Sequence, residues 1–75
     1  MARLLNRTVE FEPKFGGQFL FGYFDEVPTQ EEMARAYFGE GMPDDWADRP
    51  DLARAGDPPP TETGDGWRVL LGEAD

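Results

Sequence analysis

Residues 3–12 read Arg-Leu-Leu-Asn-Arg-Thr-Val-Glu-Phe-Glu and residues 18–24 read Gln-Phe-Leu-Phe-Gly-Tyr-Phe, and the fold turns on these two stretches. In the first, Leu5, Val9 and Phe11 fall on one face, with Arg7 the exception, while Asn6, Thr8, Glu10 and Glu12 fall on the other. Alternation with a period of two marks a strand with one buried face. The second stretch is aromatic on both faces, which places it centrally in a sheet or beneath a partner. Between them, Pro13-Lys14-Phe15-Gly16-Gly17 is a turn, because glycine adopts positive φ at no steric cost. The pair is therefore expected to form an antiparallel hairpin over residues 2–24.

Beyond the hairpin, the segment 29–56 reads as acidic and helical. Thr29 followed by Glu32 is a capping box, in which the hydroxyl accepts from the Glu32 amide and the carboxylate reaches back to the Thr29 amide. A helix over about residues 30–38 follows, with Met33, Ala34, Tyr37 and Phe38 on one stripe and Gly39 as its stop. Pro43 before Asp44 and Asp45, and Pro50 before Asp51, mark two further helix starts. Proline cannot sit deep inside a helix, so they predict two short pieces, about 43–48 and 50–55. Residues 57–66 form a Pro/Gly loop and residues 67–71 a C-terminal strand that pairs beside strand 1 or 2. The expected fold is α+β in β-β-α-α-β order: an antiparallel sheet of about three strands with short helices on one face.

The chain has 75 residues, one domain's worth, with no cysteine to form a disulfide or a thiolate metal site. A domain of this size buries only about 60% of the surface its unfolded chain exposes, so either the core packs very well or a partner or a second copy, as in a homodimer or an obligate complex, adds burial. There is no signal-peptide pattern near Arg3 and Arg7 and no apolar run of membrane-helix length, so the expected compartment is the cytoplasm. The abundance of Ala, Gly and Pro, the absence of isoleucine and the single lysine point to a GC-rich genome, bacterial or phage, and a phage product would act in its host's cytoplasm.

Histidine, cysteine and serine are absent, which removes the Ser-His and Cys-His nucleophile pairs and the commonest general base. Lys14 lies in a turn where little desolvates it. Asp44, Asp45 and Asp48, or Asp57, Glu62 and Asp65, are candidates for a hard cation, but neither set has EF-hand spacing, and helix-start electrostatics and loop solvation account for them. The glycines form no phosphate-cradling pattern. The reading is a protein with no catalytic residues, no metal and no cofactor.

Net charge is −9, and it is concentrated. Residues 1–24 sum to +1, residues 25–65 to −9 and residues 66–75 to −1. Such a segment repels nucleic acid and anionic membranes and attracts a basic protein surface. The candidate contact residues are Asp25, Glu26, Glu31, Glu32, Glu40, Asp44, Asp45, Asp48 and Asp51, with Trp46 as an aromatic anchor. Were 43–51 one continuous helix, Asp44, Asp48 and Asp51 would share a face, spaced on a scale comparable to the phosphates of DNA. Plain solubility explains much of the same charge. Most of the aromatic residues are expected in the core, with Phe15 and Trp46 the candidates for exposure.

A short, cysteine-free, strongly acidic chain without catalytic residues resembles, in profile and without a shared motif, the small phage-encoded inhibitors of the anti-CRISPR and DNA-mimic kind. Glu31, Glu32, Asp44, Asp45, Asp48 and Asp51 carry the resemblance. It implies an inhibitor whose acidic face occupies the basic nucleic-acid groove of a bacterial defence complex. The alternative is a small assembly or adaptor subunit that binds through its sheet edge and exposed aromatics. A carboxylate-based enzyme is the weakest reading.

Overall fold

A computed structural model describes residues 1–74. The order is β1 (Leu4–Glu12), β2 (Gly17–Phe24), α1 (Gln30–Phe38), 3-10 turns at Gly39–Gly41, Trp46–Asp48 and Pro50–Leu52, then β3 (Thr61–Thr63) and β4 (Gly66–Glu73). The strands form one antiparallel sheet in the order β1-β2-β4-β3.

The sheet has four strands where three were expected. β3 lies inside the expected 57–66 loop, where the density of Pro and Gly hides three residues of Thr-Glu-Thr. β-branched threonine suits a strand, and Thr63 meets Gly66 across a two-residue connection. Gly66 has φ of 118°, and a Cβ there would come within 2.7 Å of the Phe24 carbonyl oxygen. Because β3 is so short, the edge of β4 beyond it is closed differently: the Gly56 amide donates to the Leu70 carbonyl at 2.8 Å.

The second expected helix is absent, and 3-10 turns stand in its place. Arg49 between the two turns is extended, with φ of −74° and ψ of 130°. A residue before proline is driven out of the helical region by the proline ring, so Pro50 breaks the segment at Arg49. Asp44, Asp48 and Asp51 consequently do not share one helical face.

α1 follows its local signals. Thr29 accepts from the Glu32 amide at 3.1 Å, and the Glu32 carboxylate accepts from the Thr29 amide at 2.8 Å. Gly39 ends the helix at φ of 66°. α1 packs its buried Met33 and Ala36 onto Phe24, Val69 and Leu71. Leu71 is unmatched in the β2–β4 register, where Phe21 faces Leu70 and Leu20 faces Gly72. The opposite face buries Phe19, Phe21 and Leu70, with Phe15 edge-on to Phe19 at 5.6 Å.

Candidate interaction surfaces

Two kinds of surface stand out, one acidic and one apolar. Five of the nine expected contact acids are occupied within the chain. Asp25 accepts from the Arg3 amide at 2.7 Å, and Glu26 lies 3.3 Å from the amino terminus. Glu31 pairs with Arg35 at 2.6 Å and Asp45 with Arg49 at 3.2 Å. Glu32 serves the cap and also accepts from the Ala2 amide at 2.9 Å. The Thr29 amide holds the Glu32 carboxyl below the ordinary carboxylate range; partial burial opposes this, and the Ala2 amide and the amino terminus reinforce it. Glu32 thereby ties Ala2 to α1, while Asp25 and Glu26 tie Arg3 and the amino terminus to the bend after β2.

The other four acids differ. Glu40, Asp44, Asp48 and Asp51 are exposed, and among the described residues none has a side-chain hydrogen bond or an ion pair. Glu40 and Asp44 line a shallow depression of about 370 Å³ together with Arg35, Met42, Pro43 and Trp46. Trp46 is half-buried rather than free. Arg35 and Arg49 interrupt the acids, so the nine do not make one unbroken row. Neither Asp44, Asp45 and Asp48 nor Asp57, Glu62 and Asp65 converge as a cation-binding group among the described residues.

Phe15, the other aromatic expected to be exposed, is partly buried under Arg54, whose guanidinium lies 4.5 Å from its ring centre. The exposed apolar residues lie elsewhere. Leu5, Val9 and Phe11 of β1 are 48%, 59% and 54% exposed. Sequence alternation places the three on one face, but the β1 register slips between Leu4 and Asn6, and Leu4 rather than Leu5 lies on the α1 side, beside Gly22, Phe24 and Leu71. Arg7 reaches the Ala36 carbonyl at 3.0 Å, which fixes the α1 side of β1. Val9 and Phe11, two and four residues further on, share that side, where Val9 faces Leu20. α1 lies over β2 and β4 and stops short of them. β1 is also an edge strand, and among the described residues none pairs with its outer side.

On the opposite face Glu10 is the centre of a hydrogen-bond cluster. It accepts from Thr8, from the Tyr23 hydroxyl at 2.7 Å and from Arg68 Nε at 2.9 Å. Burial pushes its pKa up, but the hydrogen bonds from Thr8, Tyr23 and Arg68 and the Arg68 charge outweigh it and leave the carboxyl below its ordinary value. The hydrogen bond to Glu10 in turn raises the Tyr23 phenol above its ordinary value, as does its burial. Three donors thus hold the Glu10 carboxylate in one orientation. Among the described residues no buried side-chain polar atom lacks a partner, and no helix is long and apolar enough to cross a membrane.

No family model matches this chain, and neither characterised proteins nor solved structures show a significant similarity to it.

Proposed function

We propose that this chain is a protein-binding inhibitor that sets the acidic arm 40–51 against a basic surface, such as the nucleic-acid-binding groove of a bacterial defence complex. One observation carries the reading: Glu40, Asp44, Asp48 and Asp51 are exposed and unpaired among the described residues, while their five neighbours are consumed in internal contacts. Unpaired carboxylates keep their full charge for a partner and speed its approach. Half-buried Trp46 and Met42 beside them supply apolar area. The contact set narrows from the nine acids read in the sequence to these four and Trp46.

The test reverses Glu40, Asp44, Asp48 and Asp51 to lysine together and captures partners from a GC-rich bacterial lysate at low and at high salt. The expected result is capture of a nucleic-acid-binding complex by the unaltered chain, released by salt or by added DNA and lost in the variant, with circular dichroism unchanged. Capture by the variant equal to that by the parent overturns the reading. A second reading, an assembly subunit docking through its sheet, has its own support in the open edge of β1. It predicts capture indifferent to salt and to DNA.

A further inference from the structure

The open edge of β1 carries an inference independent of the acidic arm. We infer that it pairs with β1 of a second copy of this chain, antiparallel about a two-fold axis through Val9, joining two four-stranded sheets into one. Three observations lead there.

The first is charge. Two chains of net charge −9 repel each other over most of their surfaces. The hairpin is the exception, since residues 1–24 sum to +1. A like-charged copy approaches most easily along this strand.

The second is register. The β1–β2 ladder is irregular between Leu4 and Asn6 and regular from Asn6 to Glu12. Val9 is the midpoint of that regular stretch. An antiparallel pair keeps facing residues on the same side of the sheet, so a two-fold must pass through a residue. An axis through Arg7 would oppose two guanidiniums, and one through Glu10 two carboxylates. An axis through Thr8 would set Phe11 against the irregular Leu5. With the axis at Val9, Val9 faces its own copy, Arg7 faces Phe11, Thr8 faces Glu10 and Asn6 faces Glu12. No like charges face each other.

The third is what this pairing covers. Val9 and Phe11 lie beside Leu20 on the side that α1 leaves bare. The second copy brings the same bare stripe alongside, and its Arg7, whose guanidinium is held by its own Ala36 carbonyl, lies opposite Phe11 with its aliphatic stem available to the ring. A basic strand from a different protein would instead be drawn by net charge, and salt separates the two cases. Salt screens the repulsion between two acidic copies and strengthens their pairing, whereas it weakens a basic partner.

The test begins with sedimentation equilibrium over a concentration series at low and high salt. The expected mass rises from 8.5 kDa to twice that with concentration, and dimer forms at lower concentration in high salt. Val9→Asp and Val9→Lys each place like charges against each other on the axis, and both are expected to lose the dimer while keeping the circular dichroism of the parent. Because the chain has no cysteine, Val9→Cys provides a check that does not depend on losing anything. Facing residues in an antiparallel pair have Cα atoms about 4.5–5.5 Å apart, within disulfide range. Val9→Cys should crosslink to a covalent dimer on mild oxidation. Val27→Cys, at a similarly exposed site away from the edge, should remain largely monomeric. A constant 8.5 kDa at every salt and concentration, or equal crosslinking of the two cysteine variants, overturns the inference.

Discussion

The Arg68 guanidinium lies 3.9 Å from the centre of the Phe21 ring. Phe21 is 1% exposed, yet α1 lies on the other side of the sheet. Part of its cover is therefore polar: the Arg68 cation, held by Glu10, which Thr8 and Tyr23 also bind. An ion pair serves here as hydrophobic shelter, because a weakly hydrated guanidinium stacks flat on an aromatic face.

Arg68→Ala should destabilise the chain by about 2 kcal/mol, because it uncovers Phe21 and strips Glu10 of its cation at once. The side chains of Arg68 and Glu10 are 26% and 30% exposed, so the pair is partly shielded from solvent screening. Urea denaturation measures the loss. Glu10→Gln should cost less, since the amide oxygen still accepts one hydrogen bond.

The same cluster sets a pH dependence with opposite signs at its two ends. The Glu10 pKa is lower in the folded chain than its ordinary value of 4.5, so its contribution is present above 4.5 and is lost as pH falls through the folded value. The Tyr23 pKa is raised above 10.0, so its contribution is present below 10.0 and is lost as pH rises through the folded value. Denaturation midpoints across pH should fall at both ends. Glu10→Gln should flatten both limbs and leave on the acid side the part due to Glu32, whose pKa is also lowered.

Gly72→Ala should detach the Pro50–Leu52 turn from the sheet. A Cβ at Gly72 would lie 2.7 Å from the Asp51 carbonyl oxygen and 2.7 Å from the Tyr37 ring. Backbone and ring must both move, at a cost of about 2 kcal/mol. Faster amide exchange at Leu52 and Ala53 would locate the damage.

Thr29→Ala removes the acceptor for the Glu32 amide and should lower stability by about 1 kcal/mol. Glu32 also holds the Ala2 amide, so loosening the cap should release the chain's first residues as well. Thermal melts give the first effect and proteolysis near Arg3 the second.

The elements written in local chemistry were legible in the sequence. The hairpin followed from alternation and Gly16-Gly17, and α1 from Thr29, Glu32 and Gly39. Local signals misled at 43–55, where proline followed by aspartate marks an α-helix start and a 3-10 turn equally well. β3 was hidden because three threonine-rich residues supply too little pattern against their proline neighbours. The polar cluster was out of reach for a different reason: Glu10 and Arg68 are 58 positions apart, and only the β1-β2-β4 order brings them together. The acids were visible as a composition, but which of them are free depends on where Arg3, Arg35, Arg49 and the amino terminus fall. Alternation grouped Val9 and Phe11 correctly but wrongly added Leu5, which the irregular register between Leu4 and Asn6 takes out of the row, and it could not show that α1 would leave Val9 and Phe11 uncovered.

The Gly56–Leu70 hydrogen bond has a consequence for polymerisation. An open sheet normally has two rims, and a chain that is sticky at both can add copies without end, the route to fibres. Here the far rim is a three-residue strand, and beyond it the Gly56 amide already occupies the Leu70 carbonyl. That leaves one rim for growth. A pair formed there buries the sites that formed it and offers no equivalent rim to a third chain, so edge-to-edge growth ends at two.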